Sequence, residues 1–216
     1  MNVKSKIAVI GLGNIGSAVA TNLVKGNRSI IVADRTFEKA KSLADSLGTL
    51  AHPLEIQAAV KEADILVLAI WFDSIKEFFK QYAAELKGKI IVDPSNPIAP
   101  ADGGGFKKII GQDESAGQLL SKLVPQGAKL VKGLGSLGAA TLRSAAYQTP
   151  EKAVLFYATD DTSINSDIED LIAGSGFEPL RIGGLDQSIR EEVFGDLHEF
   201  GSLGKAVTLK EAKEKV

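Results

Sequence analysis

Short apolar runs alternate with amphipathic stretches through the first half of the chain. Ile7–Ile10 is wholly apolar, as a strand buried on both faces requires. Asn14 to Lys25 then places Ile15, Val19 and Leu23 at helical spacing. Ser29–Ala33 reads as a second strand, Phe37 to about Ser46 as a helix, and Thr49–Ala51 as a short strand. A helix is expected after Pro53, because proline's missing N–H is no loss in a first helical turn. Ile65–Ile70 is another continuous apolar run, followed by a helix from Asp73 to about Ala84 and a strand at Lys89–Val92. Strand–helix–strand alternation of this kind predicts a parallel, doubly wound α/β sheet.

The pattern breaks at Asp93–Pro100, where three prolines exclude ordinary helix or strand. The glycines of Ala101–Phe106 extend this stretch as a mobile loop, either a connector or part of a site at the ligand-binding edge of the sheet. Beyond it a helix is expected near Glu114–Leu123 and a strand at Ala128–Lys132, then the glycine-rich Gly133–Gly138. Val154–Ala158 reads as a strand, Ser163–Ala173 as a helix and Glu178–Ile182 as the last strand. From Asp186 onward, Ile189, Val193, Leu197, Phe200, Leu203 and Val207 form one apolar stripe, which predicts a long helix covering its own sheet or a second subunit. Gly195, Gly201 and Gly204 weaken that helix by up to about 1 kcal/mol each, so packing must hold it.

Composition narrows the function classes. A formal net charge of −2, with no basic run interleaved with aromatics, argues against a nucleic-acid partner. The absence of cysteine excludes disulfides, thiolate metal sites and cysteine nucleophiles. The longest apolar stretch, Ile65 to Phe72, is far below the ~20 residues of a membrane span. A cytoplasmic protein without a membrane partner is expected.

The chemistry starts at Gly11-Leu12-Gly13-Asn14-Ile15-Gly16, a complete G-x-G-x-x-G between a strand and a helix. Gly11 allows the tight turn, Gly13 lets a pyrophosphate approach the backbone, and Gly16 lets the helix pack closely on the sheet. The diphosphate would rest on free N–H groups at the positive end of that helix. About 20 residues on, Ala33-Asp34-Arg35-Thr36 occupies the ribose-contacting position. Its signals conflict. Asp34 suits a free ribose 2′-OH and favours NAD, whereas Arg35 with Thr36, assisted by Lys39, suits a 2′-phosphate and favours NADP. Ile70-Trp71 ends the fourth strand, where Trp71 either flanks a nicotinamide or belongs to the core. His52 and His198 lie in no catalytic motif, no metal-ligand spacing appears, and Asp93 reads as a loop cap. The catalytic residues are unassigned.

With Val92-Asp93-Pro94-Ser95-Asn96-Pro97, Lys132–Gly138 and Gly176–Glu192 added, the whole chain resembles the NADPH-dependent deazaflavin (coenzyme F420) reductase family, whose dinucleotide domain is related to that of the STEAP metalloreductases. The resemblance implies a Rossmann-type doubly wound sheet over residues 1–125. A small C-terminal α/β extension over residues 126–216, ending in a helix, would form the acceptor pocket and a homodimer contact. It implies NADP(H) as cofactor, with Ser95, Asn96 and Pro97 near the nicotinamide and Gly135, Ser136 and Leu137 at the pocket of coenzyme F420 or a flavin. Hydride transfer between two stacked rings needs positioning and water exclusion above all. In the Gly133–Gly138 loop, backbone N–H groups either hold a ring carbonyl or phosphate or form a plain turn. Two departures stand out. Gly135 replaces a polar amide of many members, and Asp34 replaces the small serine that the deazaflavin reductases favour before the arginine. Alternatives are a small-molecule dehydrogenase or imine reductase related to the hydroxyacid dehydrogenases, and a non-catalytic NADP(H)-binding redox sensor.

Overall fold

The structure is a computed structural model that describes residues 5–216. Its strands are β1 (Ile7–Ile10), β2 (Ile30–Ala33), β3 (Ala51–Pro53), β4 (Ile65–Leu68), β5 (Ile90–Asp93), β6 (Ile98–Pro100), β7 (Phe106–Lys108), β8 (Lys129–Gly133), β9 (Val154–Ala158) and β10 (Glu178–Gly183). Its helices are α1 (Asn14–Lys25), α2 (Phe37–Leu47), α3 (Ile56–Glu62), α4 (Phe72–Gln81), α5 (Ala116–Ser121), α6 (Ala139–Ser144), α7 (Asn165–Gly174) and α8 (Leu209–Lys213). Eight strands form one sheet in the order β10-β9-β8-β5-β4-β1-β2-β3. The wholly apolar runs are explained by helices on both faces. Ile7 and Val9 join α1, α6 and α7 in one core, while Ala8 and Ile10 join α3, α4 and α5 in the other. Each large side chain fully buried this way contributes roughly 1.5–3 kcal/mol.

The chain runs outward from β1 through β2 to β3, then crosses back to β4 on the other side of β1. Strand order reverses there, and in open α/β sheets ligands bind beyond the carboxyl ends of the strands at such a point. The doubly wound α/β expectation holds, with one change: β8 and β9 pair antiparallel. Strands β8, β9 and β10, all from residues 126–216, continue the same sheet.

Three local expectations are corrected. The long helix from Asp186 to Val207 does not form. Leu185–Arg190 is a 3₁₀ segment, tight turns follow, and the closing helix is α8. The apolar stripe misled because the glycines serve close approach: a Cβ on Gly201 would lie 1.9 Å from the Gly195 carbonyl oxygen, and one on Gly195 would lie 2.3 Å from that of Arg190. Phe194, at φ +74°, breaks any helical path. Secondly, the prolines of Asp93–Pro100 do not exclude strand: Ile98–Pro100 is β6, which pairs antiparallel with β7, and the Ala101–Phe106 loop joins the two. Thirdly, Pro53 ends β3, a sheet-edge strand where its missing donor costs nothing, and the helix begins later at Ile56.

Candidate functional site

The Gly11–Gly16 turn lies at the switch point, between β1 and α1. Gly11 has φ +87°, and its N–H donates to the Ala33 carbonyl at 2.9 Å. A side chain there would strike the Ala69 carbonyl and Ile70. At Gly16 a Cβ would fall 1.9 Å from the Gly11 carbonyl oxygen, which fixes how closely α1 approaches the turn. Gly13 differs: its φ of −71° suits any residue, and a Cβ would meet nothing within 4 Å. The space beside Gly13 is open to a group from outside the chain.

The first turn of α1 has no side-chain cap and no acidic residue, so its N–H groups and positive helix end are available to an anion. Two other helices near this edge are already capped by carboxylates. Glu192 accepts from the N–H groups of Ala116 (2.9 Å) and Gly117 (3.1 Å) at α5, and Glu199 accepts from Gly138 N–H (2.6 Å) at α6. The second glycine loop therefore does not offer all its amides to a ligand: Gly138 N–H is taken by Glu199. The residues present fit a dinucleotide diphosphate at α1.

At the ribose position Asp34 is engaged within the chain. Asp34 Oδ2 accepts from Leu12 N–H at 2.8 Å and lies 3.4 Å from Lys39 Nζ, while Oδ1 accepts from Thr36 N–H at 3.2 Å. Partial burial works to raise its pKa, but those N–H groups and Lys39 prevail and hold the carboxyl below the usual range. Asp34 is thus a brace for the glycine turn. Arg35, next to it, is exposed.

On the far side of β1, Ile70 is half-buried beside Gly11 and Trp71 is 62% exposed, outside the core. The loop after β5 is held by Asn96. Its Nδ2 donates to the Gly135 carbonyl at 3.1 Å, and its Oδ1 accepts from Val193 N–H at 2.7 Å. Asn96 thereby ties three segments together, and Pro97 and Ser95 are buried beside it. Gly135 packs against Pro94, where a Cβ would stand 2.6 Å from the carbonyl oxygen. This backbone approach explains the departure from a polar amide. Ser136 is fully buried, and Leu137 belongs to the core under α1. Exposed aromatic surface comes instead from Phe194 and Phe200, on either side of the Gly195–Gly201 contact.

Sequence reasoning missed the buried charges behind these loops. Lys132, 2% exposed, reaches Asp93 Oδ2 at 3.0 Å and also donates to the Ser95 carbonyl. Burial pulls the Lys132 pKa down, but the charges of Asp93, Glu192 and Glu191 outweigh it and raise it. Asp93 also accepts Ser95 N–H at 2.7 Å, the expected loop cap. Burial pushes the Glu191 carboxyl well above its ordinary range. His198, expected on a helix, is buried in a turn with Nδ1 accepting Phe200 N–H at 2.9 Å; burial lowers its pKa to about 4. The available signal was a lysine closing an apolar strand and a Glu-Glu pair inside an apolar stripe. Among the described residues no helix is long and apolar enough to cross a membrane, and no group of three or more metal-ligating side chains is found.

Comparison with known proteins agrees with this geometry. The F420-dependent NADP reductase of Methanocaldococcus jannaschii is 36% identical over 107 residues, which cover 45% of this chain and 48% of that relative. The match thus spans about half the length of either protein. A solved structure of a hypothetical protein from Sinorhizobium meliloti superposes with TM-score 0.81 at 28% identity, covering 94% of this chain and 95% of the other. A candidate F420-dependent NADP reductase from Arthrobacter sp. FB24 shares the fold, with TM-score 0.72 at 21% identity over 85% and 87% of the two chains. The family model for NADP oxidoreductases dependent on coenzyme F420 matches residues 6–97, from β1 through the Asn96-Pro97 loop. Over these residues, rather less than half of the chain, the sequence is similar to that family.

Proposed function

We propose that the chain is an NADP(H)-dependent oxidoreductase passing hydride between the nicotinamide and a deazaflavin or flavin-type acceptor. The observation that carries the reading is the uncapped glycine turn at α1, with open space at Gly13, on the sheet edge that also holds the β4, β5 and β8 loops. The N–H groups from Gly13 to Gly16 would hold the diphosphate, Leu12 N–H being taken by Asp34. Arg35 and Lys39 would hold the 2′-phosphate, since Asp34 is already engaged by Leu12, Thr36 and Lys39. Trp71, Ser95 and Pro97 would border the nicotinamide, whose chemistry when bound is to give or take hydride.

The acceptor would enter over the Gly135 loop, flanked by exposed Phe194 and Phe200, aromatic faces suited to a flat ring. Near that loop Glu199 is committed to Gly138 N–H and Asn96 to two backbone groups, so neither is free to polarise a carbonyl. This favours ring-to-ring hydride transfer over carbonyl reduction. The test is oxidation of NADPH and NADH by purified protein, followed by loss of reduced-nicotinamide absorbance. Deazaflavin, FMN, FAD, ferric chelates and small carbonyls or imines would each be supplied. Turnover with a deazaflavin or flavin supports the reading. Turnover with carbonyls or imines alone replaces it with the dehydrogenase alternative, and tight binding without turnover replaces it with a sensor.

A further inference from the structure

The positive end of α1 has a cation beside it. Arg143, in the last turn of α6, donates from Nη2 to the Asn14 carbonyl at 2.9 Å, and Asn14 is the first residue of α1. Bond lengths along that carbonyl and the next peptide bond keep this nitrogen within about 5.5 Å of the Ile15 amide nitrogen. Ile15 N–H belongs to the first helical turn, where Ser17 N–H is the first to find an acceptor, on Gly13. A guanidinium so close to a helix start is repelled by it, and an anion touching both would turn that repulsion into attraction. Among the described residues no acid takes that place. Neither α1 nor α6 has an acidic residue in its first turn, and Arg143 is paired with no carboxylate. Asp34 is turned to Leu12 and Thr36 N–H, and Glu199 to Gly138 N–H.

The contact is not what joins the two helices. Leu142, 1% exposed, packs in the core with α1, and Asn22 Nδ2 donates to its carbonyl at 2.8 Å in a buried hydrogen bond. Arg143, the next residue, is exposed, and its Nη1 makes only a long 3.4 Å contact with the Ala139 carbonyl of its own helix. Most of its five N–H donors therefore remain for another partner. We propose, resting on the NADP(H) reading of the glycine turn, that Arg143 is a further cofactor-binding residue that grips the diphosphate from the α6 side. The planar guanidinium matches two phosphate oxygens at once, while the Gly13–Gly16 amides hold the same group from α1. Because Leu142 and Asn22 fix α6 against α1, the arginine stands at the turn before the cofactor arrives, and little ordering is needed on binding. Arg143 lies beyond residues 6–97, so the C-terminal extension would complete the dinucleotide site as well as the sheet. The work is divided between two arginines: Arg35 would read the 2′-phosphate, and Arg143 the diphosphate that NADPH and NADH share.

The test titrates wild type, Arg143→Gln, Arg143→Lys and Arg35→Ala with NADPH and with NADH by calorimetry, and unfolds each cofactor-free protein in urea. Arg143→Gln is expected to weaken both dinucleotides by one common factor of about ten, the loss of a charge-assisted contact. Arg143→Lys should recover part of that factor, and Arg35→Ala should weaken NADPH alone. In the double variant the two factors for NADPH should multiply, as for separate sites on one ligand. The urea midpoint of Arg143→Gln should match wild type. Equal affinity of Arg143→Gln and wild type, or a loss confined to NADPH, overturns the proposal. A lowered urea midpoint overturns it as well, since Arg143 would then serve the packing of α6 on α1. A wild-type chain that binds neither dinucleotide overturns the NADP(H) reading itself, a result distinct from tight wild-type binding that Arg143→Gln leaves unchanged.

Discussion

Replacing Lys132 with methionine keeps most of the side-chain volume and removes one charge, leaving Asp93 ionised and 1% exposed. At the observed 3.0 Å the direct attraction is about 5–6 kcal/mol for an effective dielectric constant near 20. The Ser95 carbonyl loses its Lys132 donor as well. Breaking a buried pair on one side typically costs about 3–5 kcal/mol, and that loss is expected here. Since the folded pKa of Lys132 is raised above 10.5, its contribution is fully present at neutral pH and is lost only as alkaline pH passes the folded value. Urea unfolding at neutral pH, followed by far-ultraviolet circular dichroism, measures the whole effect. Asp93→Asn combined with Lys132→Met removes the stranded charge and should restore part of the loss. A single-variant loss below about 1 kcal/mol, or a double variant no more stable than Lys132→Met, would refute the reasoning.

Gly13→Ala should leave stability within about 0.5 kcal/mol of wild type, because its Cβ meets nothing, yet weaken NADPH binding about tenfold or more by filling the diphosphate's space. Gly16→Ala should lose both stability, by about 1–3 kcal/mol, and binding; calorimetry with NADPH separates the two patterns. Arg35→Ala should weaken NADPH by roughly 10–100-fold and leave NADH nearly untouched, the difference expected of charge-assisted hydrogen bonds to a 2′-phosphate. For His198, a folded pKa of about 4 against 6.5 means stability present above pH 6.5 is lost as pH falls toward 4, by about 3 kcal/mol in full. His198→Leu should flatten unfolding free energy against pH in that window; an unchanged slope would exclude His198 as its source.

The first half was legible because periodicity and punctuation agree there. Each apolar run is a strand sandwiched between helices, and Gly11 and Gly16 each meet a separate steric demand. The second half was harder for identifiable reasons. The 189–207 stripe has helical spacing, but spacing alone does not register that Gly195 and Gly201 must touch through their backbones. Apolar residues in a compact turn can mimic a helix face when each fills a different niche. The motif spacing puts Asp34 at the expected ribose position, but its commitment to Leu12 N–H lies across 22 positions of sequence. The same holds for Asn96 with Val193 and Lys132 with Asp93, whose partners are joined only by the fold.

The brace formed by Asp34 sets terms for retargeting this scaffold to another dinucleotide. An engineer seeking NAD specificity would ordinarily install or exploit an acid at the ribose position. Here that acid is present but already engaged, and replacing it would slacken the Gly11–Gly16 turn. Selectivity therefore has to be rewritten at exposed Arg35 and Lys39, with Asp34 left in place. Removing Lys39 would also release part of the Asp34 charge toward the ribose, so two changes on one helix turn act in the same direction.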